Sequence, residues 1–255
     1  MKLSTVRWFL KNPQFLGQAF QVAKRRLLDK PERYLEQKAI GWCEQNELPF
    51  EEVLRKIGIA NPELDLQKSE SQYFDYADVN VSESPVQMGG RGGLEMLYNL
   101  VIHFKPAHIL ETGVAYGWSS LSVLLAIKKN SVGQLASVDM PYVNMGNEPY
   151  VGIAVHPDLK SNWKLIRKAD RQGIPEAVSH FGGQLDLVHY DSDKSYSGRM
   201  WAYPILWRAL AKGGVFISDD IQDNVGFMEF CQSVSVPYYI YKSDEKYVGI
   251  ILKES

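Results

Sequence analysis

The chain has 255 residues, 45% of them hydrophobic, enough to bury a full core in one large domain or one domain with an appendage. Lys plus Arg is 28 against Asp plus Glu at 30, a net charge of -2, so no global basic field exists to hold a nucleic-acid backbone, and small molecules are the expected partners. Cys43 and Cys231 stand far apart without Cys or His neighbours, which excludes a disulfide framework and a zinc site. No apolar run approaches the ~18 residues that span a bilayer, and no compact apolar secretory core opens the sequence, so a cytoplasmic protein without a transmembrane segment is expected.

Residues 1 to 30 are basic and aromatic, with Trp8, Phe9, Phe15 and Phe20 among Arg7, Lys11, Lys24, Arg25 and Arg26. Helical spacing continues through Leu35, Ile40, Trp42, Leu48, Val53, Leu54 and Ile57 until Pro62 breaks it. The basic, aromatic stretch is expected to pack its apolar side on the main domain or on a second copy of the chain, with a surface-seeking amphipathic helix as the alternative. Glu63 to Pro85 is polar and irregular, which suits a linker or a loop folding over a site. Residues 1–85 thus read as a helical appendage with a linker, and residues 86–255 as the catalytic domain.

Beyond Pro85 the spacing predicts a helix over 94–104, a strand over 107–110, a helix over 119–128 and strands over 134–140 and 163–167. A helix over 172–180, a strand over 185–190, a helix over 198–211, a strand over 215–218 and a helix over 224–233 follow. Alternation of this kind, with strands apolar on both faces, implies a parallel sheet covered by helices. Strands over 238–241 and 247–252 are joined by a turn at Asp244 and Glu245, short enough to permit only an antiparallel hairpin.

The first strand runs into Glu111-Thr112-Gly113-Val114-Ala115-Tyr116-Gly117-Trp118-Ser119. A glycine-bearing turn between strand and helix lets a ligand approach the backbone and meet helix N-terminal N–H groups. Glu111 stands where a dinucleotide fingerprint has its first glycine, and a carboxylate there would repel a pyrophosphate, which argues for a cationic cofactor. The strands ending in Asp191-Ser192-Asp193-Lys194-Ser195-Tyr196 and Ser218-Asp219-Asp220 would bring several carboxylates together beside the switch point. Bare aspartates that close repel unless a cation neutralises them, and all-oxygen donors favour Mg2+ or another hard ion. Solvated strand ends and helix caps are the alternative explanation of the same acids.

The run Glu111-x-Gly113-x-x-x-Gly117-x-Ser119 resembles the first motif of class I S-adenosylmethionine-dependent methyltransferases, over about residues 89–253. The resemblance implies an α/β, Rossmann-like methyltransferase sheet, mostly parallel with a C-terminal antiparallel hairpin, that binds S-adenosyl-L-methionine. It implies cofactor contacts at Glu111, Gly113, Gly117 and Ser119, at Asp139 for the ribose hydroxyls and at Asp170 for the adenine. The acidic segments resemble metal-dependent O-methyltransferases of the antibiotic-sugar and the catechol and caffeoyl-coenzyme A types. By that resemblance Asp191, Asp219 and Asp220 hold a divalent metal, expected to be Mg2+, and Asp193 or Lys194 is the general base. The Asp-x-Asp run and the Asp219-Asp220 pair tilt the acceptor towards a hydroxyl of a sugar or glycosylated natural product, with a phenol as the alternative.

Tyr142, Tyr150 and His156 in the long segment from Pro141 to Asn162 are candidate acceptor contacts, or members of an ordinary surface loop. Arg91, inside Gly89-Gly90-Arg91-Gly92-Gly93, could counter the cofactor's carboxylate, or sit in a flexible linker. His189, within an apolar strand, reads as a satisfied core histidine. Two competing functions are a non-catalytic cofactor-binding partner subunit and a nicotinamide enzyme; the acid cluster disfavours the first, and Glu111 with the terminal hairpin disfavours the second.

Overall fold

Short apolar strands separated by helices can pair in parallel only through crossovers, and this chain builds its core that way. The computed structural model describes residues 7, 8, 10–13, 33–141 and 146–254. One sheet holds β1 (His108–Thr112), β2 (Gln134–Val138), β3 (Trp163–Ile166), β4 (Leu185–Tyr190), β5 (Leu210–Ser218), β6 (Tyr238–Ser243) and β7 (Lys246–Leu252), in the order β3-β2-β1-β4-β5-β7-β6. β1 to β5 run parallel, and β7 inserts antiparallel to both β5 and β6. The order reverses beside β1, so the carboxyl ends of β1 and β4 flank a crevice where ligands of such sheets bind.

Side chains alternate across the sheet with period two, and each face has its own core. Ile109, Leu135, Leu187 and Val215 point to one side, Leu110, Ala136, Val188 and Phe216 to the other. The first side is covered by α2 (Phe50–Ile57), α4 (Ser71–Ser82), α5 (Leu94–Phe104) and α6 (Trp118–Asn130) through Leu54, Phe74, Leu97 and Leu121. The second is covered by α7 (Asp170–His180), α8 (Tyr196–Ala209) and α9 (Gly226–Val234) through Ile174, Tyr203, Leu206, Phe227 and Phe230. Each such buried side chain contributes about 1.5–3 kcal/mol, so both faces are needed to hold the sheet.

The N-terminal part is joined closely to this core. In α1 (Arg33–Asn46) Ala39 packs with Val225 and Met228, and Cys43 is buried with the second core, so the described part of this helix lies on the main domain. The stretch expected as a linker over Glu63 to Pro85 is instead helical, with α3 (Leu66–Ser69) capped by Asp65, whose side chain accepts from Lys68 N–H, and then α4. Tyr73, Phe74 and Ala77 are buried, a narrow stripe that the polar composition of the segment conceals. Both cysteines are free and buried. Among the described residues no helix is long and apolar enough to cross a membrane.

Candidate active site

A cleft of about 670 Å³ opens at the carboxyl ends of β1, β2, β4 and β5, a size suited to a nucleoside-like ligand with a small co-substrate. Its floor is the turn after β1. Gly113 has φ +82°, and a Cβ there would lie 2.1 Å from the Asp191 carbonyl oxygen, so only glycine lets the ends of β1 and β4 approach. Gly117, at φ +91°, starts α6 and sits against Gly152, leaving the backbone of Gly113 to Ala115 and the Ser119 side of the helix facing the cleft.

Asp139 closes β2 and is fixed on both oxygens. Its Oδ2 accepts from the N–H groups of Val114 and Ala115 at 2.8 and 2.9 Å, and its Oδ1 pairs with Arg167 Nη1 at 2.7 Å. Asp170 lies in the first turn of α7, whose N-cap is Ala169. Burial pushes its carboxyl up to about 6, although Ser192 Oγ donates to Oδ2 at 2.6 Å and opposes the rise. Gly113, Ser119, Asp139 and Asp170 all border the cleft.

Glu111 lies beneath the cleft wall. It is completely buried, and its Oε2 accepts from Ser120 Oγ at 2.5 Å and Ser137 Oγ at 2.7 Å. Trp163 Nε1 donates to Ser137 Oγ at 2.8 Å, extending the row to β3. On the other side His189 Nδ1 is 3.5 Å from Glu111 Oε1, and its Nε2 is 3.8 Å from Asp219 Oδ1. Register explains the row: Ser137 and His189 are the pairing partners of Glu111 on the two adjacent strands. Burial works against a charged His189, but Asp219 and Glu111 outweigh it and raise its pKa to about 10. The ring therefore lies between two carboxylates that favour its protonated form, with neither nitrogen hydrogen-bonded among the described residues, whereas its position in an apolar strand suggests only a satisfied core histidine.

Asp191, Asp193, Lys194 and Asp219 line the opposite wall. Burial and the neighbouring Asp219 push the Asp191 carboxyl up to about 6, with Lys194 opposing. Asp191 Oδ1 is buried and accepts no hydrogen bond from the described residues; Lys194 Nζ stands 3.3 Å away as its ion-pair partner. Asp193 Oδ1 accepts from the N–H and Oγ of Ser195 at 3.1 and 2.8 Å, which orients the carboxylate at the start of α8. Asp220 turns away in a left-handed conformation, φ +52°, and is buried; its carboxylate bonds Lys194, and Lys246 Nζ is 3.3 Å from it. Burial works against the Lys194 ammonium, yet Asp191 and Asp220 hold its pKa above the ordinary lysine value. Asp191, Asp219 and Asp220 are thus not gathered around one point: among the described residues no group of three His, Cys, Asp or Glu side chains is placed to hold a metal ion.

Several residues at the site carry no motif signal. Lys246 comes from the β6–β7 turn, which borders the cleft from Ser243 to Lys246. Arg199 is completely buried in α8, and its Nη2 donates to the carbonyl oxygens of Asp219 and Asp220 at 3.1 and 2.7 Å. Only the folded chain brings either to the acids. Arg91 does border the cleft, but its guanidinium pairs with Asp78 and lies 4.1 Å from the Trp118 ring centroid. His156 points to α4: its Nδ1 is 2.5 Å from Asp158 Oδ1, and its ring meets Tyr76 edge-on at 4.6 Å. Tyr150 packs against the first core, and Tyr142 lies outside the described residues.

Residues 110–221 match a family model described as "Methyltransferase domain". No curated protein sequence matches the chain. Among solved structures, an O-methyltransferase from Bacillus cereus in complex with SAH superposes with a TM-score of 0.50 at 13% identity, covering 79% of this chain and 96% of that one. An SAH-bound methyltransferase from Podospora anserina gives a TM-score of 0.52 at 13% identity, covering 89% of this chain and 98% of that one. At such identities the superpositions speak for a shared fold, and the matched segment runs from β1 to just beyond β5, through both walls of the cleft.

Proposed function

We propose that the chain is an S-adenosylmethionine-dependent methyltransferase that transfers a methyl group from S-adenosyl-L-methionine to a hydroxyl oxygen of a small molecule, a reading supported by the match of residues 110–221 to a methyltransferase domain. The observation that carries this reading is the single cleft in which Gly113, Ser119, Asp139 and Asp170 face Asp191, Asp193, Lys194 and Asp219. A sugar or glycosylated natural product is the acceptor class, on the likeness of Asp191-x-Asp193 and Asp219-Asp220 to the antibiotic-sugar group.

On the cofactor side, the N–H groups at the start of α6 and the Gly113 backbone offer a surface without side-chain bulk. Asp139, ordered by two backbone N–H groups and Arg167, would accept from the ribose hydroxyls, and Asp170 from the adenine amine; both border the cleft. Glu111 acts from below, as a fixed negative charge under a cofactor that carries a sulfonium.

On the acceptor side, an alcohol must lose its proton as the methyl carbon is attacked. Asp193 suits that task, because Ser195 fixes one carboxylate oxygen. Lys194 serves less well as a base while it is an ammonium paired with Asp191 and Asp220. Asp191 and Asp219 are the carboxylates that would hold a divalent ion if Lys194 gave way, since Asp191 Oδ1 is buried without a hydrogen bond and the two carboxylates repel, but no third acidic ligand stands beside them among the described residues. Such an ion would lower the pKa of the bound hydroxyl and orient it. Asp220, committed to two lysines, would support from outside that pair.

The test is calorimetric titration of S-adenosylhomocysteine and a methyl-transfer screen over sugar and phenol acceptors, on wild type and Asp191→Asn. The expected outcome is unchanged S-adenosylhomocysteine affinity, within about twofold, with transfer by the variant reduced at least about a hundredfold. Normal turnover by Asp191→Asn would remove the acid wall from the mechanism, and absence of S-adenosylhomocysteine binding to folded wild type would remove the cofactor. Cytoplasmic location and self-association through the N-terminal helices belong to the same proposal; sedimentation of the full chain tests the second.

A further inference from the structure

We propose that His189 is a positioning residue of the acceptor wall: held from behind by Glu111, it aims the Asp219 carboxylate into the cleft. The inference rests on the methyl-transfer reading of the cleft and needs no metal ion.

A row of polar side chains crosses the sheet beneath the cleft. Trp163 Nε1 donates to Ser137 Oγ at 2.8 Å, and Ser137 Oγ donates to Glu111 Oε2 at 2.7 Å. Glu111 Oε1 then faces His189 Nδ1 at 3.5 Å, and His189 Nε2 faces Asp219 Oδ1 at 3.8 Å. The side chains of Glu111 and His189 are sealed, at 0% and 2% exposure, whereas that of Asp219 is 20% exposed and borders the cleft. The end of the row that lies in the cleft is therefore the end with room to move.

That end is also incomplete. Glu111 Oε1 and both nitrogens of His189 are buried without a hydrogen bond among the described residues. A carboxylate can only accept, so each ring nitrogen meets its neighbour as an N–H donor, and a buried donor left without an acceptor is costly. Glu111 cannot swing to meet the ring, because Ser120 and Ser137 hold its other oxygen. Asp219 can. Asp193 is oriented by Ser195 and Asp220 by Lys194, whereas the side chain that faces Asp219 at ion-pair distance is His189. Arg199 fixes the main chain of Asp219 by donating to its carbonyl oxygen at 3.1 Å, so His189 governs what is left, the direction of the carboxylate. Drawn to Nε2 through Oδ1, Asp219 presents Oδ2 to a second hydroxyl of the acceptor while Asp193 faces the hydroxyl that reacts, which fixes the acceptor for attack.

The experiment has a spectroscopic and a kinetic arm, both on the full chain at one pH. Long-range 1H–15N spectra of protein labelled with 15N-histidine are recorded for wild type, Asp219→Asn and Asp191→Asn, with His189→Gln to assign the ring. Both His189 nitrogens are expected to carry hydrogen in wild type, and the Nε2 shift to move in Asp219→Asn but not in Asp191→Asn. A bare Nε2, or a shift indifferent to Asp219, overturns the inference whether or not the protein transfers methyl groups.

The kinetic arm compares S-adenosylhomocysteine affinity and transfer to the best acceptor of the screen. His189→Phe is expected to lower kcat about a hundredfold with S-adenosylhomocysteine affinity kept within about threefold, and His189→Gln, which puts an amide donor near the Nε2 position, to regain about tenfold of that loss. The double variant His189→Phe/Asp219→Asn should fall no further than Asp219→Asn alone. Equal losses in the Phe and Gln variants, additive losses in the double variant, or a parallel loss of S-adenosylhomocysteine affinity overturn the positioning role. Absence of S-adenosylhomocysteine binding and of transfer by folded wild type removes the methyl-transfer reading. In that case, or if His189→Phe does not fold, the spectra decide whether His189 aims Asp219.

Discussion

The two walls of the cleft hold their carboxylates by different means. Asp139, on the cofactor wall, is gripped by backbone N–H groups of the β1–α6 turn and by Arg167. Asp191 and Asp220, on the other wall, are held by lysine side chains that reach across from a loop and a hairpin. Backbone dipoles cannot leave, so the first wall is built before any ligand arrives; ammonium groups on long stems can, so the second can rearrange around an acceptor. Preorganisation and adaptability thus occupy opposite sides of one cavity, matching a fixed cofactor and a reacting oxygen that must shed a proton.

The comparison breaks most severely where the two walls touch. Gly113→Ala puts a methyl group within 2.1 Å of the Asp191 carbonyl oxygen at a positive φ, so β1 or β4 must shift. A loss of about 3 kcal/mol or more in urea unfolding, with S-adenosylhomocysteine binding lost alongside, is expected. Loss of binding at unchanged stability would mean that the turn relaxes without disturbing β4. A smaller effect separates the walls: Asp139→Asn should weaken S-adenosylhomocysteine about ten- to a hundredfold in calorimetry, or about 1.4–2.7 kcal/mol, while the His189 ring-nitrogen shifts stay as in wild type. A change in those shifts would show that the walls are not independent.

The smallest effect is on stability against pH. The folded pKa of Asp170, raised to about 6 chiefly by burial, lies above its ordinary value of 3.8. The folded state therefore binds the proton more tightly than the unfolded chain, and this contribution is fully present below pH 3.8 and lost as pH rises through about 6. Asp170→Asn keeps an acceptor for Ser192 but has no charge to bury. It should be more stable than wild type by on the order of 1 kcal/mol at pH 8, with the gain gone at pH 4. Urea midpoints at the two pH values check it, and a gain of equal size at both would trace the effect to packing.

How much was legible follows the same division. Strand β4 and helix α5 are bounded as their hydrophobic patterns predict, because both are nearly continuous apolar runs between clear breakers. The β1 turn and the acids at the ends of β4 and β5 could be read because their spacing is local. Helix α4 could not: Tyr73, Phe74 and Ala77 bury a narrow stripe in a polar segment, and its helicity depends on the core it meets. Lys246, Arg199 and Arg167 were equally invisible, since their partners lie on other strands and are brought near only by the sheet. The setting of Glu111 was hidden for a related reason. Its motif position suggests a ligand contact, but register places it between Ser137 and His189, where it is sealed from the cleft.

The β6–β7 hairpin that carries Lys246 also closes the circuit of the chain. Tyr238 OH donates to Asn46 Oδ1 at 3.1 Å across 192 residues of sequence, and Leu48 N–H donates to the Ile240 carbonyl at 2.8 Å. Contacts so distant in sequence are slow to find, because a large loop must close before they contribute. The β1–β2 half, by contrast, pairs strands separated by a single helix and can form early. Refolding should accordingly yield a nucleoside-shaped recess first and a chemically complete cavity later, with docking of the Asn46 to Leu48 segment on β6 timing the interval.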